Sequence, residues 1–282
     1  MIRPLQADDR LLEDIRQVPS DSHDLHYWWL GQSGFLLKWQ GSCLVFDPYL
    51  SDSLTEKYAH TDKPHVRMTE RVIDPARLSG IGCVSSSHNH TDHLDRETLL
   101  ALRRANPHLQ MVLPEANRAF AAERLGTPAE WPLGLTAGAS CQVGSFTFHG
   151  IPAAHNELEV DERGRHRFMG FVVEAGPWRV YHSGDTLRYP GMEDWLKPWN
   201  LNLAFLPING DRPERRVAGN LDGPQAAQLA ADAGVQRVVP CHYDMFEFNT
   251  ATPELFIAAC EARQQPYQVL QAGEHGFLQA PR

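Results

Sequence analysis

Three histidines and an aspartate stand within one six-residue stretch, His88-Asn89-His90-Thr91-Asp92-His93, directly behind the apolar run Gly82-Cys83-Val84-Ser85. Residues two apart in an extended chain point the same way, so His88 and His90 can grip one ion together. The chain then turns toward a helical pattern over Arg96 to Arg104, which carries Leu99, Leu100 and Leu102. That turn frees Asp92 and His93 to face a second ion beside the first. A lone His-x-His says little, but His-x-His-x-Asp-His after a strand is specific for a metal centre. It demands a fold in which a buried strand ends at a pocket lined by other loops.

Two ions need more ligands, and the chain offers them at matching places. His155 follows the strand-like run Phe146 to Ile151, Asp185 follows Val180-Tyr181-His182-Ser183-Gly184, and His242 follows Val238-Val239-Pro240-Cys241. Strand ends are where loops gather into sites in layered folds. The expected sets are His88, His90 and His155 for one ion, Asp92, His93 and His242 for the other, and Asp185 as a bridge. His182 and Asp47, each at a strand end, are expected to support ligands from behind. His23, His60, His65, His108, His149, His166 and His275 read as surface or structural.

The rest of the chain organises around these strand ends. Strand, turn and strand are expected over His26 to Trp39, with Gly31-Gln32-Ser33-Gly34 at the turn, and a further strand at Leu44-Val45-Phe46. Helices are expected near Leu11 to Val18, over Glu115 to Leu125 with Gly126 as the stop, over Pro224 to Ala233 with Asp222 as N-cap, and over Pro253 to Ala262. Cys141 to Tyr181 is β-rich, with Ala175-Gly176-Pro177 as a hairpin turn. Short strands are expected at Met111 to Leu113, Leu203 to Leu206, Val235 to Pro240, and near Gln268 and Phe277. This order implies an α/β fold of two mixed sheets packed together with helices outside. No repeat or Ser/Gly-rich linker divides the chain, so residues 1–282 read as a single domain.

Composition narrows the function classes. The 282 residues carry 35 acids against 26 bases, a formal charge of −9, so the chain as a whole repels phosphate backbones and nucleic acid is not an expected partner. No apolar run approaches the roughly 20 residues of a membrane-spanning helix, so no membrane partner is expected. The first residues, Met1 to Arg10, hold acids where a secretory signal would place its apolar core, which makes a cytoplasmic location the expectation. The five cysteines are scattered with no C-x-x-C pair, consistent with reduced, buried thiols. Nothing in the sequence decides whether the chain self-associates, and a homo-oligomer stays open.

The His88 to His93 segment resembles the signature of the metallo-β-lactamase superfamily. More narrowly, Tyr27-Trp28-Trp29-Leu30-Gly31-Gln32-Ser33-Gly34, Tyr181-His182-Ser183-Gly184-Asp185 and Pro240-Cys241-His242-Tyr243-Asp244-Met245-Phe246 resemble the L-ascorbate-6-phosphate lactonase-like branch. The resemblance implies a four-layer αβ/βα sandwich, a hydrolase, and two divalent ions, zinc or manganese, with iron as an alternative. His155 departs from the aspartate expected near that position in the sugar-phosphate lactonase, and a nitrogen ligand there suits zinc where an oxygen suits manganese. Ser87-His88-Asn89-His90 and Gly184-Asp185-Thr186 also resemble the phospholipase D-like branch acting on N-acylphosphatidylethanolamine.

No cysteine or serine stands in a nucleophile setting, so the expected nucleophile is a metal-bound hydroxide, steered by Asp92 while Asp185 holds the ions together. The leading expectation is hydrolysis of a small, anionic, phosphorylated lactone or ester. A phosphodiesterase is the first alternative and a non-catalytic metal-binding scaffold the second. Pro207 to Arg216 follows a strand and carries Asn209, Asp211, Arg212, Arg215 and Arg216. Its arginine forks suit phosphate or carboxylate oxygens, so Asn209, Asp211, Arg212, Arg215 and, beside His242, Tyr243 are the candidate substrate contacts, the alternatives being a solvated charged loop paired with its own acids and a tyrosine that orients its loop.

Overall fold

The computed structural model describes residues 1–280. Six strands in the first half form one sheet: β1 (Leu25–Gly31), β2 (Gly34–Trp39), β3 (Ser42–Phe46), β4 (Ile81–Ser85), β5 (Gln110–Pro114) and β6 (Pro132–Leu135). The next six form another: β7 (Ser140–Val143), β8 (Phe146–Pro152), β9 (Met169–Ala175), β10 (Trp178–His182), β11 (Leu203–Pro207) and β12 (Val238–Cys241). The last, β13 (His275–Leu278), returns to pair antiparallel with β1. The sheet orders are β13-β1-β2-β3-β4-β5-β6 and β12-β11-β10-β9-β8-β7.

Alternation along each strand builds two cores. In β1, Leu25, Tyr27 and Trp29 point between the sheets, while Trp28 and Leu30 point outward. The inner set meets residues of β8 to β12; Phe35 and Phe205 stack with centroids 3.8 Å apart across the interface. Burying each such ring contributes roughly 1.5–3 kcal/mol. The outer set meets Leu11, Leu99, Leu102, Ala121 and Leu125 from α1 (Asp8–Gln17), α3 (Arg96–Ala105) and α4 (Arg118–Leu125). The short α2 (Ser53–Tyr58) and α5 (Met192–Leu196) sit in connections, and α6 (Gly223–Asp232) packs on the far face of the second sheet with α7 (Glu254–Arg263). Helix, sheet, sheet and helix therefore stack as the expected four layers. Among the described residues, no helix is long and apolar enough to cross a membrane.

Topology explains where chemistry gathers. Strands β3, β4 and β5 run parallel, as do β10, β11 and β12, so within each set the carboxyl ends share one edge. Strand β9 pairs antiparallel with both β8 and β10, which puts the end of β8 on that edge too. The two sheets are tied there by Met169 N donating to the Ser87 carbonyl at 3.1 Å.

Most expected elements form near their expected bounds. Asp222 caps α6 with a full capping box: Gln225 N donates to its carboxylate at 2.8 Å and Asp222 N donates to the Gln225 side chain at 3.0 Å. Gly126 stops α4 with φ +64°, and Gly176 turns β9 into β10 with φ +58°. Two expectations change. The helix over Glu115 to Leu125 starts as a 3-10 turn, Glu115–Asn117, before α4 proper. The strand near Gln268 is a single bridge, Val238 to Tyr267, because the edge strand β12 is itself only four residues long.

Candidate metal centre

The loops beyond β4, β8, β10 and β12 deliver their polar side chains to one spot. Donor atoms of His88, His90 and His155 all lie within 4.8 Å of one another, and so do those of Asp92, His93 and His242. Asp185 lies between the two groups: its Oδ1 is 3.3 Å from His93 Nε2, and its Oδ2 is 3.3 Å from His242 Nε2 and 3.6 Å from His155 Nε2. Asp92 Oδ2 stands 3.5 Å from His93 Nε2 and 3.6 Å from His242 Nε2. His90 lies open at the rim, whereas His88, His93, His155, Asp185 and His242 are buried.

The rings are aimed from behind. His93 Nδ1 donates to Asp47 Oδ2 at 2.7 Å, and His155 Nδ1 donates to the Gly219 carbonyl at 2.9 Å, so in both rings Nε2 turns toward the cluster. Asp47 is completely buried and also accepts from Ser87 N and the Ser85 and Ser87 hydroxyls. His182 acts at one remove. Its Nε2 donates to the Ser33 carbonyl at 2.8 Å, its Nδ1 accepts from Gly184 N at 3.2 Å, and its ring stacks on Phe46 at 4.9 Å. It thereby holds the turn that presents Asp185.

That turn depends on glycine. Gly184 has φ +60°, and a Cβ there would come 2.4 Å from the Ser87 side chain. The two ligand-bearing loops touch at this point and leave no room for a side chain.

Electrostatics sort the histidines into two kinds. Burial, together with neighbouring His93 and His90, pushes His88 well below the ordinary imidazole range. Burial likewise lowers His155, against a partial pull upward from Asp185. For His93 and His242 burial is outweighed by Asp185 and Asp92, which raise both, His242 to about 9. The carboxylates of Asp92 and Asp185 fall below their usual range in turn, burial again being overcome by the histidines. The spot therefore combines neutral nitrogen donors with a carboxylate pair that attracts positive charge.

The donor set fits divalent ions. His88 Nε2, His93 Nε2 and Asp185 Oδ1 are buried and make no hydrogen bond among the described residues; the last two face each other at 3.3 Å without hydrogen-bond geometry, and leaving such atoms unbonded is costly unless something else occupies them. All three point into the cluster, and imidazole nitrogens mixed with carboxylate oxygens match zinc, manganese or iron.

Around the cluster lies a pocket of about 320 Å³. Leu54, Tyr58, Phe246 and Phe248 line one wall, and Lys57, His65, Asn89, Arg124 and Asn249 supply polar groups. The expected substrate residues are placed differently. Arg215 spends its guanidinium on the carbonyls of Asn209 and Thr250 and on Asn249, and Asn209 also bonds Asn249 at 2.9 Å. Both buttress a pocket residue without lining the pocket. Arg212 and Asp211 are exposed, the latter against Gly219, and Arg216 pairs with Asp62 at 2.8 Å. Tyr243 donates to the Leu270 carbonyl at 2.7 Å and packs on Trp29. An arginine next to a strand end can serve the protein's own backbone as readily as a ligand, as Arg215 does here.

Gln32, His65 and Arg124 reach the site unanticipated. Gln32 donates to Asp92 Oδ2 at 2.8 Å from the β1–β2 turn, and its carbonyl accepts from His242 N at 2.9 Å. Arg124 donates from α4 to the carbonyls of Asn89 and Leu94, spanning the metal loop. Only the glycines flanking Gln32 hinted at a special turn.

Residues 44–243 match the family model described as the beta-lactamase superfamily domain. The chain belongs to this superfamily. Among its relatives are a metal-dependent hydrolase of Myxococcus xanthus, 26% identical over 238 residues and covering 80% of this chain and 73% of that one. Another, from Rubrobacter xylanophilus, is 29% identical over 237 residues, covering 81% of this chain and 85% of that one. Superfamily-like folds recur among solved structures. An isothiocyanate hydrolase from Delia radicum gut bacteria superposes with a TM-score of 0.70 at 17% identity, covering 90% of this chain and all of that one (100%). A metallo hydrolase of Ignicoccus hospitalis gives 0.67 at 20% identity, covering 92% and 100%. These two likenesses concern the fold alone.

Proposed function

We propose that this chain is a metal-dependent hydrolase of a small anionic lactone or ester, with His88, His90 and His155 holding one ion, Asp92, His93 and His242 a second, and Asp185 shared between them. The observation that carries the reading is the convergence, from two sheets, of buried atoms on His88, His93 and Asp185 that make no hydrogen bond among the described residues. The names of the metal-dependent hydrolases among its relatives support it. When bound, such ions supply acidification of water and Lewis acidity at a scissile carbonyl or phosphoryl oxygen.

The protein's own groups do the remaining work. Asp92, fixed by Gln32, orients the attacking water on the pocket side. Arg124 and Lys57 line the pocket, and the hydrogen bonds of Arg124 among the described residues go to the neutral carbonyls of Asn89 and Leu94, so an anionic substituent finds uncompensated positive charge there. This replaces the 212–216 run as the basis for an anionic substrate. The branch resemblance favours a sugar-phosphate lactone.

The test is a matched panel on zinc- and manganese-loaded protein: a phosphorylated sugar lactone, its unphosphorylated parent, and bis-p-nitrophenyl phosphate. The reading expects preference for the phosphorylated lactone, with Arg124→Ala raising KM for it more than for the parent. Equal turnover of both lactones would remove the anionic part of the reading. Turnover of bis-p-nitrophenyl phosphate alone would shift it to a phosphodiesterase.

A further inference from the structure

Hydrolysis of an unactivated ester has a second requirement besides water activation: the departing oxygen must receive a proton. The residues proposed as ligands have their site-facing atoms committed, and Asp47 and His182 are spent on hydrogen bonds behind them. Among the other pocket-lining groups that can carry a proton, Arg124 does not give it up, and Lys57 and Tyr58 are of types that are weak acids near neutrality. His65 remains.

Its setting is built. The His65 ring stacks on Tyr58 with centroids 4.2 Å apart and meets Phe248 and Phe246 edge-on at 4.5 and 5.2 Å. Its carbonyl accepts from Thr55 Oγ1 at 2.7 Å, and the strip behind it is zipped to the segment after His242 by Glu247 N to the Val66 carbonyl at 3.1 Å and Met68 N to the Met245 carbonyl at 2.8 Å. His65 Nδ1 donates to the Lys63 carbonyl at 3.1 Å. That bond fixes the tautomer, and it is the one side-chain hydrogen bond His65 makes among the described residues, which leaves Nε2 to the pocket that the ring lines. The imidazole is thus held rigid with one titrating nitrogen left for a ligand.

Resting on the hydrolase reading, we propose that His65 is the general acid of this site, giving its Nε2 proton to the leaving oxygen. In the balanced step, the water oxygen bonds to the carbonyl carbon and the bond from that carbon to the leaving oxygen breaks. The electron pair passes to the leaving oxygen, which takes the His65 proton. The water's spare proton goes to solvent, which later reprotonates His65. Burial among the three rings lowers this histidine, assisted by Lys63 and Lys57 and opposed by the Lys63 carbonyl and by Asp92 across the pocket. A lowered value makes the protonated ring a stronger acid and confines that form to the acidic side of the ordinary imidazole range.

The experiment compares p-nitrophenyl butyrate, whose leaving group departs without a proton, with ethyl butyrate, in metal-loaded wild type, His65→Asn and His65→Gln. Asn keeps a donor for the Lys63 carbonyl while deleting Nε2, and Gln guards against a folding defect in one variant. Both should lose on the order of 100-fold or more in kcat/KM on the ethyl ester and under about threefold on the p-nitrophenyl ester. In wild type, only the ethyl ester should show a rate that falls as pH rises above the His65 value. Nitrogen-15 NMR of the metal-free protein should find neutral His65 protonated at Nδ1. Equal losses on the two esters, or a neutral ring protonated at Nε2, overturn the role of His65 and leave hydrolysis standing. A wild type that binds its ions and cleaves neither these esters nor the phosphorylated lactone overturns the hydrolase reading and this role with it. If it cleaves the lactone alone, the variant losses and the pH limb are read on that substrate, and their absence overturns the role of His65.

Discussion

Asp47 directly follows β3 and His93 lies in the loop that follows the adjacent parallel strand β4, and the 2.7 Å bond between Asp47 Oδ2 and His93 Nδ1 turns the opposite ring nitrogen toward Asp92 and Asp185. The pairing of β3 with β4, Phe46 opposite Ser85, brings the two residues together. Sheet register thus sets the tautomer of a histidine in the candidate centre.

Asp47→Asn tests that relation. An amide accepts with only one of its two ends, so it cannot serve Ser87 N, both serine hydroxyls and the His93 ring together. Metal affinity should fall by about 10- to 100-fold with the fold retained. A chelator-competition titration alongside far-UV circular dichroism reads both, and unchanged affinity would mean that the ring needs no such support.

Gly184→Ala should be severe for a residue that gains one methyl group. Its positive φ disfavours a side chain, and the new Cβ would drive into Ser87 between two loops of the centre. A loss of about 2–3 kcal/mol is expected, seen as a lower midpoint in urea, together with weakened metal binding. A wild-type midpoint would show that the loops can part freely.

Arg124→Ala should loosen the metal loop without unfolding the domain. The guanidinium spans the Asn89 and Leu94 carbonyls, while His93 N and Leu94 N donate inward to the His90 carbonyl. Faster hydrogen exchange at those two amides is the expected readout, on the order of tenfold if about 1.4 kcal/mol of local stability is lost. Unchanged exchange would assign Arg124 to substrate alone.

Stability should fall with pH through a cluster remote from the centre. His26 Nδ1 meets His275 Nε2 at 3.0 Å, and His275 Nδ1 lies 3.3 Å from Asp14, which accepts from Trp28 Nε1 at 2.8 Å. Burial and mutual repulsion lower His26, and burial lowers His275 despite Asp14. Folded values below the unfolded value of 6.5 mean that the stability these groups contribute is complete above 6.5 and is lost as pH falls below it. Thermal midpoints of wild type should drop more between pH 7.5 and 5.5 than those of His26→Gln. Parallel curves would exclude the pair as a source.

What was legible in the chain follows from how local each signal is. His88, His90, Asp92 and His93 announce themselves in one strand-and-loop segment, and Asp185, His155 and His242 stand out because each closes an apolar run. The four layers follow from where two-residue alternation gives way to helical spacing. Gln32, His65 and Arg124 are illegible in the sequence because what brings them to the site is distant: the Gln32 turn meets the His242 loop, and the His65 strip zips to residues 245–247. The 212–216 run left two readings open for the converse reason. Charge is visible in a sequence, but whether Arg215 meets a substrate or the Thr250 carbonyl is settled by tertiary contacts.

The most direct test of the central claim is metal content by plasma mass spectrometry, on untagged protein purified without added metal and after incubation with zinc or manganese, for wild type, His88→Ala and Asp185→Ala. Near two equivalents in wild type, reduced in both variants while circular dichroism is unchanged, is the predicted result. Near zero in wild type, with no uptake on adding either metal, would contradict it.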